Sequence, residues 1–159
     1  MRSFRFLLLA LLLFAPHAAA AEEVGGNGAL ALAALVGNVS PLLDAADKGV
    51  LMKLLDGQTK FSFSAGKTIS VVASKLTCRA GNVDIAAHSC ELSFGGQDVT
   101  LTGRSAHELF ATLAEIGVPP DGAAGSSFEA VSKLKCTVDP NEVKQNSGGG
   151  AHCDYAPPN

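Results

Sequence analysis

The residues able to do chemistry in this chain are few, and the cysteines come first. Cys78, Cys90, Cys136 and Cys153 are its four cysteines, with separations of 12, 46 and 17 (78 to 90, 90 to 136, 136 to 153). A redox-active dithiol sits in C-x-x-C at a helix N-terminus, where the dipole lowers a thiol pKa, and these spacings exclude that arrangement. Zinc sites use close C-x-x-C or H-x₃₋₅-H pairs, which are also missing. What remains is a disulfide framework, the usual meaning of an even cysteine count in an oxidising compartment. Of three connectivities the sequential one is expected, Cys78 with Cys90 and Cys136 with Cys153. Each pair brackets turn residues, Ala80-Gly81-Asn82 in one case and Ser147-Gly148-Gly149-Gly150 in the other.

The histidines and serines yield less. His88 and His152 each precede a cysteine closely, so two neighbouring hairpins could bring the imidazoles together, with Asp84 or Asp154 as a further ligand. Without ligand spacing they are expected to be exposed loop residues, and no metal is assigned. His107 belongs to a helical first turn. Gly66-Lys67-Thr68 ends like a phosphate loop, but Phe61 replaces the required glycine and a strand follows instead of a helix. Gly26-Asn27-Gly28 imitates a dinucleotide fingerprint without a preceding strand. Ser64-Ala65-Gly66-Lys67 matches S-x-x-K, yet the companion S-D-N and K-T-G elements are absent, as is G-x-S-x-G. Asp84, Glu91, Asp98 and Glu108 are scattered, so no carboxylate pair is set at a glycosidase separation. Catalytic, cofactor-binding and metal residues are therefore all read as none.

Elements able to position the cysteines follow from periodicity. Ala29 to Val36 reads as a short helix ended by Gly37 and Asn38. Ser40 then reads as an N-cap with Pro41 at the first helical position, leading a helix with Leu43, Ala46, Val50 and Leu54 on one face, closed by Gly57. Phe61 and Phe63 alternate with serines, and Ile69 to Cys78 is rich in β-branched residues, so both read as strands. Leu92 and Phe94, then Val99 and Leu101, flank Gly95-Gly96-Gln97-Asp98 as a hairpin. Ser105-Ala106-His107-Glu108 reads as a capping box, for which Ser105→Ala is expected to cost about 1 kcal/mol. Ala106, Leu109, Leu113 and Ile116 form the apolar stripe behind it. A shorter helix is expected over 125–133 with Phe128 and Val131 inward, then strands over 134–138 and 152–155. Ser74-Lys75-Leu76-Thr77-Cys78 also recurs as Ser132-Lys133-Leu134-Lys135-Cys136, an echo that two copies of a disulfide-closed hairpin unit would leave. The fold expected is a small single α+β domain, an antiparallel sheet of roughly four to six short strands with helices on one face, stapled by disulfides.

The chain's beginning sets its address. Arg2 and Arg5, an apolar run from Phe6 to Phe14 and the alanine block Ala18 to Ala21 make the three parts of a secretory signal peptide. The organisation expected is a signal over 1–20, cut after Ala20 or Ala21, a flexible tail over 21–28, one domain over 29–156 and a C-terminal tail over 157–159. The run is too short for a retained anchor. Loss of the two arginines moves the formal charge from −3 to −5, which makes nucleic acid and anionic lipid poor candidates as partners, and neither is expected. The function expected is an exported, periplasmic or secreted, non-catalytic binding or structural module. Its disulfide-closed loops would be presented to a protein, a peptide or an envelope component. The alternative is a small secreted hydrolase with an unrecognised Ser/His/acid site.

Overall fold

In the computed structural model of the chain the described residues are 22–57, 67–80, 84–118, 127–145 and 149–156. Residues 1–21, which hold the expected signal, the phenylalanines at 61 and 63 and the last three residues lie outside them. The elements are β1 (Glu22–Gly25), α1 (Gly26–Val39), α2 (Ala45–Leu55), β2 (Ile69–Ala73), β3 (Lys75–Arg79), β4 (Ser89–Phe94), β5 (Gln97–Thr102), α3 (Gly103–Glu115), β6 (Ser127–Val131), β7 (Lys133–Val138), α4 (Pro140–Gln145) and β8 (Ala151–Ala156). A single 3-10 turn, Ile85–Ala87, precedes β4. All strand pairs are antiparallel, in two four-stranded sheets of order β1-β8-β7-β2 and β5-β4-β3-β6. This is an α+β domain of short strands, held by two disulfides.

Period-2 alternation decides the faces. Ile69, Val71 and Ala73 of β2, Leu134, Cys136 and Val138 of β7, and Ala151, Cys153 and Tyr155 of β8 are buried, while the residues between them point outward. Helix α1 packs on the buried face of the first sheet and α3 on that of the second, the two helices touching each other, with α2 laid against α1. The sheets are joined by two strand pairs that bend at Ser74 and Ser132. Ala73 stands opposite Leu134 and Leu76 opposite Val131, three residues on in one strand and three back in the other, so one register crosses the bend. At the bend the Ser74 amide donates to the Ser93 carbonyl and the Ser132 amide to that of Ala156. Strands that switch sheets at such a corner are how two sheets share one core.

Element order repeats. Apart from α2, inserted after α1, and α4, inserted before β8, β1-α1-β2-β3-β4 is followed by β5-α3-β6-β7-β8, and each sheet takes two strands from either half. The correspondence extends to single residues. Gly26 and Gly103 open the two helices with φ of 68° and 62°, a left-handed backbone that admits glycine readily, and so let each helix leave its strand without a loop. Ala29, Leu32 and Val36 on α1 match Ala106, Leu109 and Leu113 on α3, all of them buried. The Cys78 and Cys136 words of the sequence echo occupy equivalent strands, β3 and β7.

Several local expectations are corrected. Eight strands form among the described residues, two more than the upper expectation, because the segments read as a tail (21–28) and as a helix (125–133) contain β1 and β6. β1 gains its amide partners from β8, and β6 gains them from β3. Helix α1 continues through Gly37, where a Cβ would stand 2.7 Å from Leu51 Cδ1 and 3.2 Å from Val71 Cγ2. The glycine there permits close helix packing and does not stop the helix. Ser40 caps the C-terminal end of α1, and Asp44 is the N-cap of α2, its carboxylate accepting from the Asp47 amide at 2.8 Å. The capping box at Ser105 does not form. Thr102 precedes α3, Ser105 lies inside the helix, and Glu108 accepts from Arg104 Nε at 3.0 Å. Asp44→Ala is accordingly expected to cost about 1 kcal/mol, and Ser105→Ala to stay within about 0.5 kcal/mol of wild type. Paired urea denaturation curves compare the two, and an equal loss for Ser105→Ala would mean that Ser105 caps α3 after all.

Candidate functional site

The staples lie where strand register puts them. Cys78 is opposite Cys90 in the β3–β4 ladder and Cys136 opposite Cys153 in the β7–β8 ladder, with Cα separations of 4.1 and 4.0 Å, and both pairs are bonded. Each is buried beneath a helix. Cys90 Sγ lies 3.5 Å from the Ala106 carbonyl oxygen and Cys153 Sγ lies 3.4 Å from that of Ala29, again equivalent positions. The cysteines are thus part of the core and hold the strands that frame the surfaces described next.

The histidines separate. His88, largely buried, packs edge-on against His107 (ring centroids 4.9 Å) and Phe110 (5.7 Å) under α3, its Nδ1 3.4 Å from the Asp84 carbonyl oxygen. His107 Nδ1 is buried without a hydrogen-bond partner. In the other half the three equivalent positions are the buried apolar residues Ala151, Leu30 and Ala33. His152 is elsewhere, on the outer face of the first sheet, with Nε2 2.9 Å from Asp154 Oδ1. The expected two exposed loop histidines are therefore one buried under a helix and one on a strand, and the pairing of His88 with His152 is not made. Different sheets decide this, since His152 lies on the outward phase of β8 in the first sheet while His88 enters β4 of the second and turns under α3.

The outer face of the first sheet carries a cavity that could take a ligand. An open cavity of about 440 Å³ lies over β2, β7 and β8 beside the bend, lined by Val72, Ser74, Lys133, Lys135, Asp154 and Ala156. Its walls are almost wholly carbon, so Lys133 and Lys135 line it with their aliphatic stems. Val72 is half exposed on the outward phase of β2, where Ser70 also points. Sequence reading passed over this site. The available signal was Val71-Val72, an apolar pair in which one member must break the alternation and face solvent.

Beyond Asp154 the same face continues onto β1, where Glu23 stands opposite Asp154. The chain's one tyrosine closes that edge from the buried side, Tyr155 Oη donating to Glu22 Oε2 at 2.7 Å. Burial, then the hydrogen bond to Glu22 and the negative charge of that carboxylate, push the Tyr155 phenol up from 10.0 to about 12. A raised folded-state value means that the neutral phenol's contribution is complete below pH 10 and is lost as pH rises towards 12. Absorbance near 295 nm should therefore show a single late titration, moved to lower pH by Glu22→Gln. A midpoint near pH 10 in the folded protein would mean that β1 is not docked.

Among the described residues no helix is long and apolar enough to cross a membrane. No family model, curated protein or solved structure matches the chain.

Proposed function

We propose that this protein is an exported, disulfide-stabilised, non-catalytic binding module whose partner docks on the outer face of the first sheet. The partner chemistry that fits is an extended acidic polypeptide segment. An apolar side chain would enter the cavity over Val72 and Ala156 while its carboxylates meet the Lys133 and Lys135 ammonium groups at the rim. The observation that carries the reading is this cavity, apolar in its walls, with two lysines against one carboxylate, Asp154, among its lining residues, on a sheet face opposite the one α1 covers. An accessible apolar surface ringed by charge is the usual mark of an interaction site. The disulfides support the reading in two ways. One of them, Cys136–Cys153, holds β7 to β8 beneath the cavity, and both are bonds of the kind an oxidising compartment keeps, in keeping with the signal-like beginning of the chain. Sequence reading put the contact on the disulfide-closed loops. The proposal moves it to the strands those bonds staple.

A photo-crosslinking residue at position 72 tests the site in the protein as exported, with and without Lys133→Glu and Lys135→Glu together. The expected result is one crosslinked protein, mapped to an acid-rich segment and lost on charge reversal. No crosslink, or the same crosslinks after charge reversal, overturns the site. The intact mass of the exported protein should correspond to loss of 1–20 or 1–21, and a retained Met1 terminus overturns the export reading.

A further inference from the structure

We infer that Glu23, His152 and Asp154 form a binding site for a divalent transition ion of borderline softness, with Zn²⁺ as the type case. The β1–β8 register creates it. Glu23 is directly opposite Asp154, and His152 lies two residues before Asp154 on the same outward phase of β8. The three side chains bring one imidazole nitrogen and two carboxylate oxygens within 4.8 Å of one another. His152 Nε2 and Asp154 Oδ1, hydrogen-bonded at 2.9 Å, stand a little closer than the about 3.4 Å between two tetrahedral donors of an ion bound at about 2.0 to 2.2 Å, so an ion would replace that hydrogen bond and part the two atoms slightly. Glu23, an exposed side chain, would move inward to complete the set.

Two further observations bear on the site. Carboxylates directly opposite each other across an antiparallel pair repel, so the Glu23–Asp154 pairing is an unfavourable choice for a bare sheet and one that a cation between them reverses. The repeat within the chain supplies the comparison. In the equivalent ladder the three positions are Thr100, Ser89 and Glu91, which keep one carboxylate and no imidazole. The fold therefore does not require the trio, and only the first sheet carries it. One nitrogen and two oxygens suit Zn²⁺, Ni²⁺ or Cu²⁺, whereas Ca²⁺ takes six to eight oxygens and has no use for imidazole. Three protein donors leave coordination positions open to water or to a ligand's own donor. The inference goes beyond the binding reading above and does not rest on it.

The test is titration of ZnCl₂, alone, into the purified oxidised protein without a polyhistidine tag at pH 7.5, by calorimetry and by NMR of the imidazoles. One equivalent is expected to bind, moving His152 resonances and leaving those of His88 and His107 in place. His152→Ala and Asp154→Asn should each weaken binding about tenfold or more. Unchanged near-ultraviolet circular dichroism identifies both variants as folded. Absence of saturable uptake, uptake unaltered in His152→Ala, or equal competition by CaCl₂ would each overturn the site. None of these outcomes changes the crosslinking result at position 72, so the two proposals fail separately.

Discussion

Replacing Cys136 and Cys153 together by alanine is expected to lower the unfolding free energy by about 2 to 5 kcal/mol, a large part of the about 5 to 15 kcal/mol that a domain has. Two effects add. The bond removes closure entropy from the unfolded chain across a sequence separation of 17, and its sulfurs fill space between β7, β8 and the start of α1. Cys78 with Cys90, separated by 12, should behave alike, since closure entropy grows only with the logarithm of loop length. All four cysteines are at most 1% exposed, so dithiothreitol should reduce neither bond until the domain opens. Iodoacetamide labelling followed by mass spectrometry reads this directly. Rapid labelling of folded protein would refute the buried placement, and a Cys78–Cys136 linked peptide in a non-reducing digest would refute the pairing.

Phe94→Ala should be of comparable size, about 3 to 5 kcal/mol, by deleting the largest fully buried side chain among the described residues. Phe94 ends β4 beside the Gly95-Gly96 turn, at a point where the strand must pass under the core before the chain reverses. The space it leaves cannot close without moving the hairpin. Val72→Ala is the useful contrast, because Val72 is half exposed and its loss should stay within about 0.5 kcal/mol. Denaturant midpoints for the two variants should therefore separate widely. Similar midpoints would mean that Phe94 is not in the core.

What sequence reading found and missed divides by the range of the interaction that decides it. The β4–β5 hairpin was legible because its alternation and its glycine turn are local. So was the stripe of Ala106, Leu109 and Leu113, which follows from helix period alone. The strand β1 was not, because its four residues contain one apolar side chain, Val24, and its case rests on β8 at the far end of the chain. Phe128 and Val131, three apart, fit a helical period, and only the pairing with β3 makes their segment a strand. The caps failed for a different reason. Gly103 lets α3 start directly from β5, which carries Ser105 past the position at which it could cap. The binding face was the least visible part. It is assembled from the outward residues of strands far apart in sequence, and outward residues carry no periodic signal of their own.

The interleaving of the two halves sets an order of events for a chain delivered N-terminus first. β1 closes against β8, the last strand to arrive, and β2 lies against β7, so the first sheet cannot assemble while the C-terminal third is still being supplied. The second sheet is held back in the same way, since β3 waits for β6. Such long-range pairing makes folding slow, because closure entropy must be met before most contacts form. The sequence-adjacent strands β3, β4 and β5 can nonetheless pair in this interval, which sets Cys78 opposite Cys90 before Cys136 and Cys153 are supplied. Delivery in that direction would favour the native pairing.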